Sequence, residues 1–383
     1  MGNVGIKILN NRFRGILFLS GALIVIQLIT LVTGTSYYLT QLTMSAYYVM
    51  TAVGLSMVMG YAGQISLGQA GFFAIGGYTA AVLTTTDLTD KLDKPFFALL
   101  NSAGLLVNST DLYGGTITYI SPWISFIAAL VIAGITAWLI GIPVLRLKGH
   151  YLAMATMGFG IIIYRIVLGT DVFGNADGIS NVPAFRLFPG IEVTGDFSRR
   201  ISNYYIAWFM VIITIILLTN LVNSRVGRAL RSLHGAEDAA DAMGVDVSGY
   251  KVSVFIIGAV IAAAAGVFMT HYNGGIGPSE SSVSKSIRYI AIVAVGGMAN
   301  LWGVLSMGLI LNFLSLRGVF GSYDDAVFGV ILIIMMMFFP DGLFRRGDLK
   351  KLAAFLRLPV KRRSFGNNAD TPDTAGGRST END

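Results

Sequence analysis

The residues best placed to act on a solute lie in one glycine-rich stretch, Gly60-Tyr-Ala-Gly-Gln-Ile-Ser-Leu-Gly-Gln-Ala-Gly-Phe-Phe-Ala-Ile-Gly-Gly-Tyr78. Gln64, Ser66 and Gln69 supply neutral hydrogen-bond donors and acceptors, which suit a polar or zwitterionic solute and provide no strong base. Gly63 and Gly68 favour a break in the helix. Backbone outside a helix at membrane depth is tolerated only where protein or water satisfies its polar groups, so the stretch reads as a broken or re-entrant element lining a path. Close helix packing is the alternative that the same composition allows. A second break, Val295-Gly-Gly-Met-Ala-Asn-Leu-Trp-Gly303, places Gly296 and Gly297 in the opposite half. Two broken elements in opposite halves suggest a binding path between them.

A different kind of chemistry is suggested by Asn223 to Tyr250, NSRVGRALRSLHGAEDAADAMGVDVSGY. Arg225, Arg228, Arg231 and His234 precede Glu237, Asp238 and Asp241, an order that opposes the dipole of one continuous helix. Two helices resolve the conflict: Gly235 ends the first, Glu237 and Asp238 open the second, and Gly244 ends it. Such a projection between two spans can receive force from a partner; an ordinary solvated loop is the plainer alternative.

Catalysis finds no support in the residue types. The absence of cysteine excludes a disulfide framework, a thiolate metal site and a cysteine nucleophile. His150, His234 and His271 lie far apart, and there is no metal-spaced cluster, Walker A sequence or Gly-x-Ser-x-Gly elbow. The expectation is a chain that binds no cofactor and no metal, with any ATP hydrolysis on separate subunits.

The elements that must position these residues are membrane spans. Of 383 residues, 54% are hydrophobic and 13% charged, about half the roughly 25% charged share of a soluble domain. Mean hydropathy is +0.68. Apolar runs cover Gly15 to Thr33, Tyr38 to Met59, Gly71 to Leu83, Pro122 to Leu145, Tyr151 to Leu168, Tyr204 to Val222, Val252 to Thr270, an interrupted stretch from Tyr289 to Leu316, and Ala326 to Pro340. The fold expected is an all-α polytopic membrane protein of about 8–10 transmembrane helices with Gly-rich broken elements. The first run is too long for a signal-peptide core and lacks a clear cleavage site, so it reads as a span. With ten crossings, two-thirds of the 27 Lys and Arg residues fall on the side of the termini, which the positive-inside rule makes cytoplasmic. The net charge of +6 is thereby topological and no nucleic-acid partner is implied. By the same division no carboxylate lies in mid-membrane, which argues against an ion-coupled carrier.

The segments GYAGQISLGQAGFFAIGGYTAA (60–81), PVLRLKGHYLAMATMGF (143–159), GRALRSLHGAEDAADAMGVDVSGYKVSVF (227–255), GGMANLWG (296–303) and FFPDGLF (338–344) resemble the branched-chain amino acid ABC importer permeases, the longer of their two types. The resemblance runs in order from about Tyr38 to Phe344 and implies a permease domain over 1–344, with a cytoplasmic coupling loop at 223–250. A basic amphipathic segment (345–363) and a polar tail (364–383), expected to be disordered, follow it.

Several partners are implied by this resemblance: a second homologous permease, two cytoplasmic ATPases and an extracytoplasmic binding protein, assembled in a bacterial-type inner membrane. It also implies transmission of ATPase movement through Arg228 to Gly244, with Glu237, Ala240 and Gly244 matching the coupling pattern. Gly63, Gln64, Gly68 and Gln69 match the segment after the second span. Urea permeases share the architecture, but there a histidine is expected where this chain has Gln69, which favours amino acids over urea or short amides.

Overall fold

A computed structural model describes residues 2–89, 105–110 and 116–338, without the side chains of 2–14, 109–110, 116–117, 336 and 338. The segments expected at 345–363 and 364–383 lie outside the described residues, as do 90–104, 111–115 and 339–344.

The helices are α1 (Gly2–Val32), α2 (Tyr37–Ser56, continued by a π turn at Met57–Tyr61), α3 (Gln69–Thr85), α4 (Pro122–Val144), α5 (His150–Gly169) and α6 (Arg200–Val222). Then follow α7 (Arg225–Gly235), α8 (Glu237–Ala242), α9 (Val247–Asn273), α10 (Val283–Gly296), α11 (Leu301–Leu316) and α12 (Asp324–Phe338). Six stretches are long and apolar enough to cross a bilayer: 15–32, 37–61, 122–144, 150–169, 197–222 and 247–273. Helices α3, α10, α11 and α12 are shorter, at 17, 14, 16 and 15 residues. The chain is thus an all-α polytopic membrane protein.

Helix α11 runs antiparallel to α2. The Tyr61 hydroxyl donates to the Ala299 carbonyl at 2.8 Å at one end, and Gln41 Nε2 donates to the Leu316 carbonyl at 3.5 Å at the other. One end of the bundle carries α7 and α8. The opposite end carries short antiparallel pairs: β1 (Leu106–Thr110) with β2 (Thr116–Ile120), β3 (Ile179–Ser180) with β6 (Gly275–Ile276), and β4 (Phe185–Phe188) with β5 (Ile191–Val193).

Packing follows the distribution of small residues. On α4, Ala129, Ala133, Ala137 and Gly141 recur every fourth position and are buried, while Ile127, Val131, Ile135 and Leu139 recur on the outer face and are exposed. A small stripe inward and a branched stripe outward is the pattern of a helix with protein on one side and lipid on the other. Helices α3 and α9 approach so closely that a Cβ on Gly266 would fall 2.0 Å from the Phe73 carbonyl oxygen, and one on Gly76 2.2 Å from that of Ala263. Beside this seam Phe185 stacks on Phe268, which also stacks on Tyr47.

Gly266→Leu is therefore expected to part α3 from α9 and destabilise the detergent-extracted protein by about 1–3 kcal/mol or more. Gly158→Leu, at a position with open space around it, is the matched control. Equal melting temperatures for the two variants would contradict this packing.

Candidate functional site

The first predicted site is a break in regular structure inside the bundle. After the π turn, Gly63 adopts φ +68, a left-handed conformation that a side chain resists. It lies against His234 of α7, whose Nδ1 is 3.0 Å from where a Cβ would stand. The chain then climbs back between helices without being helical itself. Its amides are held one by one: Gln64 N donates to the Val58 carbonyl (3.0 Å), Leu67 N to Thr156 Oγ1 (2.9 Å) and Ala70 N to Ser286 Oγ (3.3 Å).

The predicted residues divide by role. Gln64 and Ser66 are buried, yet both amide atoms of Gln64 and the Ser66 hydroxyl have no partner. Buried polar atoms left unpaired are costly, so they mark a place for a ligand or water. Gln69, in contrast, is committed to structure, because its Nε2 donates to the Gly258 carbonyl at 3.0 Å. Gly68 is a packing position, with a Cβ there falling 2.9 Å from the Thr156 carbonyl oxygen.

The second predicted break meets the first. A Cβ on Gly60 would overlap the Met298 carbonyl, and Tyr61 bonds to Ala299. Gly296 and Gly297 form the corner between α10 and α11: Gly296 lies against the Val304 backbone, and Gly297 turns the chain at φ +92. They bring the two breaks together through backbone, without offering a side chain.

The charged loop folds as two helices. Ser224 caps α7 by accepting from Gly227 N (3.4 Å), and Gly244 at φ +79 ends the turn after α8. Asp246 then caps α9 by accepting from Gly249 N at 2.9 Å. Arg228 is exposed, while Arg231 Nη2 donates to the Val222 carbonyl at the end of α6 (3.3 Å). Ala240 is buried and seats α8 on the bundle. A cleft of about 350 Å³ beside α8 is lined by Arg146, Lys148, Glu237, Asp241, Asp246 and Lys251, among others. Lys148 and Asp238 pair at 3.0 Å across exposed surface, and that carboxylate raises the pKa of Lys148.

Glu237 has a partner that its position alone does not reveal. Its carboxylate is ion-paired with Lys251, a buried residue on α9. The acid that opens α8 is thus a tether to a spanning helix.

Two further charged residues depart from their expected location. Glu280 and Lys285 read as an external loop, but the chain after β6 turns inward and pairs them at 3.0 Å beside Tyr48, which stands near the middle of the Tyr37–Tyr61 stretch. The expectation that both lie in an external loop is therefore corrected: Glu280 and Lys285 stand against the bundle, with Glu280 Oε2 buried. Hydropathy misses the pair because nine polar or small residues around it look like a surface turn, whereas Ser282, which accepts from Lys285 N (3.3 Å), starts α10 deeper. Among the described residues no cluster of His, Cys, Asp and Glu is suited to a metal ion.

Comparison with known proteins places this geometry in context. Residues 37–338 match the family described as "Branched-chain amino acid transport system / permease component". The high-affinity branched-chain amino acid transport system permease protein LivM of Escherichia coli is 30% identical over 79% of this chain and 68% of its own length. The corresponding LivH of Escherichia coli is 26% identical over 82% of this chain and 98% of its own. A probable LivM of Methanocaldococcus jannaschii is 24% identical over 77% and 90%. No solved structure matches the chain.

Removing one partner of the Glu237–Lys251 pair leaves a buried charge uncompensated. Lys251 stays buried in Glu237→Gln, so α8 should loosen by about 1–3 kcal/mol and protease cleavage near Met243 should quicken. Adding Lys251→Met should restore part of the protection. A double variant cleaved as fast as the sum of the two single variants requires would rule out the tether.

Proposed function

Because the chain belongs to the branched-chain amino acid transport system permease family, we propose that it is the LivM-like permease of an ATP-driven importer and forms half of the path for leucine, isoleucine and valine. It does no chemistry of its own. A second, LivH-like permease completes the path, an extracytoplasmic protein delivers the solute, and two ATPases on the cytoplasmic side bind and hydrolyse ATP. The membrane is the bacterial-type inner membrane, with both termini and the α7–α8 end in the cytoplasm and the strand-bearing end outside.

The observation that carries this reading is the continuity from α7–α8 to the broken segment. Helix α8 presents Met243, 85% exposed, at its end, an apolar anchor of the kind that seats in a partner's groove. Behind it, the Glu237–Lys251 pair ties α8 to α9, and His234 of α7 rests on Gly63. A displacement of the short helices by closing ATPases is thereby carried to α9 and to the segment holding Gln64 and Ser66. Solute passes when that segment changes its contacts.

Substrate choice follows the relatives' names more than any single residue. Gln69, which separates this chain from the pattern expected of urea permeases, is bonded to Gly258, so its contribution is to packing. Urea or short amides are the second reading, and an ion-coupled carrier would need none of the partners.

In proteoliposomes containing both permeases, both ATPases and the binding protein, labelled leucine uptake should require ATP and every partner. Met243→Asp should lower ATP-driven uptake about tenfold, the ~1.4 kcal/mol of one lost anchor, with insertion unchanged. Uptake by this chain alone on an ion gradient would overturn the importer reading; urea uptake in place of leucine would change the substrate only.

A further inference from the structure

The inward turn between α9 and α10 creates a charged group that the coupling and packing described above do not use. Lys285 Nζ lies 3.0 Å from Glu280 Oε1 and donates to the Tyr48 hydroxyl at 3.1 Å, while that hydroxyl donates to Glu280 Oε1 at 3.0 Å. The ammonium also sits 4.3 Å from the centre of the Tyr48 ring. One carboxylate oxygen thus carries both bonds. The other, Glu280 Oε2, is buried with no partner, and so are the hydroxyls of Tyr78 and Tyr289, which lie within electrostatic reach of this carboxylate.

Three further features distinguish this group from a sealed structural ion pair. About a fifth of each charged side chain remains accessible, 21% for Lys285 and 18% for Glu280, so the pair is not sealed, although Glu280 Oε2 itself is covered and a solute meets it only when the group opens. Aromatic rings surround the charges: Phe73 stacks with Tyr48 at 5.9 Å, and Tyr289 lies 6.4 Å from Tyr48. Finally, Ser286, one position after Lys285, holds Ala70 N at the start of α3, which joins this group to the broken segment.

We propose that Glu280, Lys285 and Tyr48 form a recognition point inside the permease for the zwitterionic head of an α-amino acid, a reading that rests on the importer function proposed above. The solute's ammonium donates to Glu280 Oε2, and its carboxylate accepts from the Nζ hydrogen of Lys285 that Glu280 and Tyr48 leave free. Phe73 and Tyr289, both buried, wall the charged group with rings, against which a branched side chain packs once the bundle parts to admit it. Both charges of the solute are met by opposite charges, which repays the water lost on entering the bundle. A solute lacking the ammonium leaves Glu280 Oε2 without a donor, and one lacking the carboxylate leaves the third Nζ hydrogen of Lys285 without an acceptor, so the site discriminates by absence.

The test uses the assembled complex of both permeases and both ATPases, without binding protein, titrated with leucine, leucinol and 4-methylpentanoate by saturation-transfer NMR. Leucinol lacks the carboxylate and 4-methylpentanoate lacks the ammonium. The wild type should prefer leucine to both. Glu280→Gln should weaken leucine about tenfold and erase its preference over 4-methylpentanoate; Lys285→Met should erase the preference over leucinol, and Lys285→Arg should keep it.

Should either charge variant fail to assemble, Tyr48→Phe decides. It keeps the ring but frees the hydroxyl's partners, and unchanged leucine binding in it would overturn the assignment, as would an unchanged ligand ranking in Glu280→Gln and Lys285→Met. ATP-dependent leucine uptake, measured on the wild type with binding protein added, separates the two levels. Uptake with an unchanged ranking discards the recognition point alone; ATP-driven uptake of urea in place of leucine discards this assignment and keeps the importer; leucine uptake by this chain alone on an ion gradient discards the importer reading and this assignment with it.

Discussion

A backbone that leaves the helix inside a membrane bundle needs hydrogen-bond partners from the protein or from water, and the segment between α2 and α3, with the first turn of α3, is held by three neighbours at once. Val58 of the preceding π turn, Thr156 of α5 and Ser286 of α10 each hold one of its amides. These bonds dictate the arrangement around them. Thr156 requires α5 to pass beside the break, and Ser286 requires α10 to begin within the bundle. That inward start in turn draws Glu280 and Lys285 to the level of Tyr48. The short lengths of α3 and α10 follow from the same constraint, because each is completed by non-helical chain.

The segment is held by few bonds, and this suits it to movement. A spanning helix is secured by a bond at nearly every residue, whereas a strap with single attachments can exchange one neighbour for another at modest cost. Its contact with His234 places it directly under α7, while α8 is tied to α9 by Glu237 and Lys251. The α7–α8 end thus meets the strap through packing and α9 through a charge pair. The unpartnered atoms of Gln64 and Ser66 stand on that strap.

What could be read from the sequence was what is local. The order of charges and glycines between Arg225 and Gly244 foretells two helices, because helix dipoles and glycine C-caps act over a few residues, and α7 and α8 fall there. The clustered glycines mark both breaks for the same reason. Roles that depend on distant partners were not legible. Gln69 resembles a path residue until Gly258, 189 positions away, is seen to accept its amide. Tyr48 and Glu280 lie 232 positions apart, and hydropathy assigns the latter to a loop. Glu237 signals a helix start correctly and conceals its second function as the partner of a buried lysine.

Accessibility of Ser66 tests most directly whether the strap lines a path that opens and closes. The chain has no cysteine, so Ser66→Cys provides a single thiol, and Ile127→Cys, on the exposed face of α4, provides a lipid-facing control that cannot ionise and react. In the assembled complex, a water-soluble thiol reagent should modify Ser66→Cys in one nucleotide state and many-fold more slowly in the other, and Ile127→Cys in neither. A Ser66→Cys thiol as inert as the control with and without ATP would contradict a path through this segment.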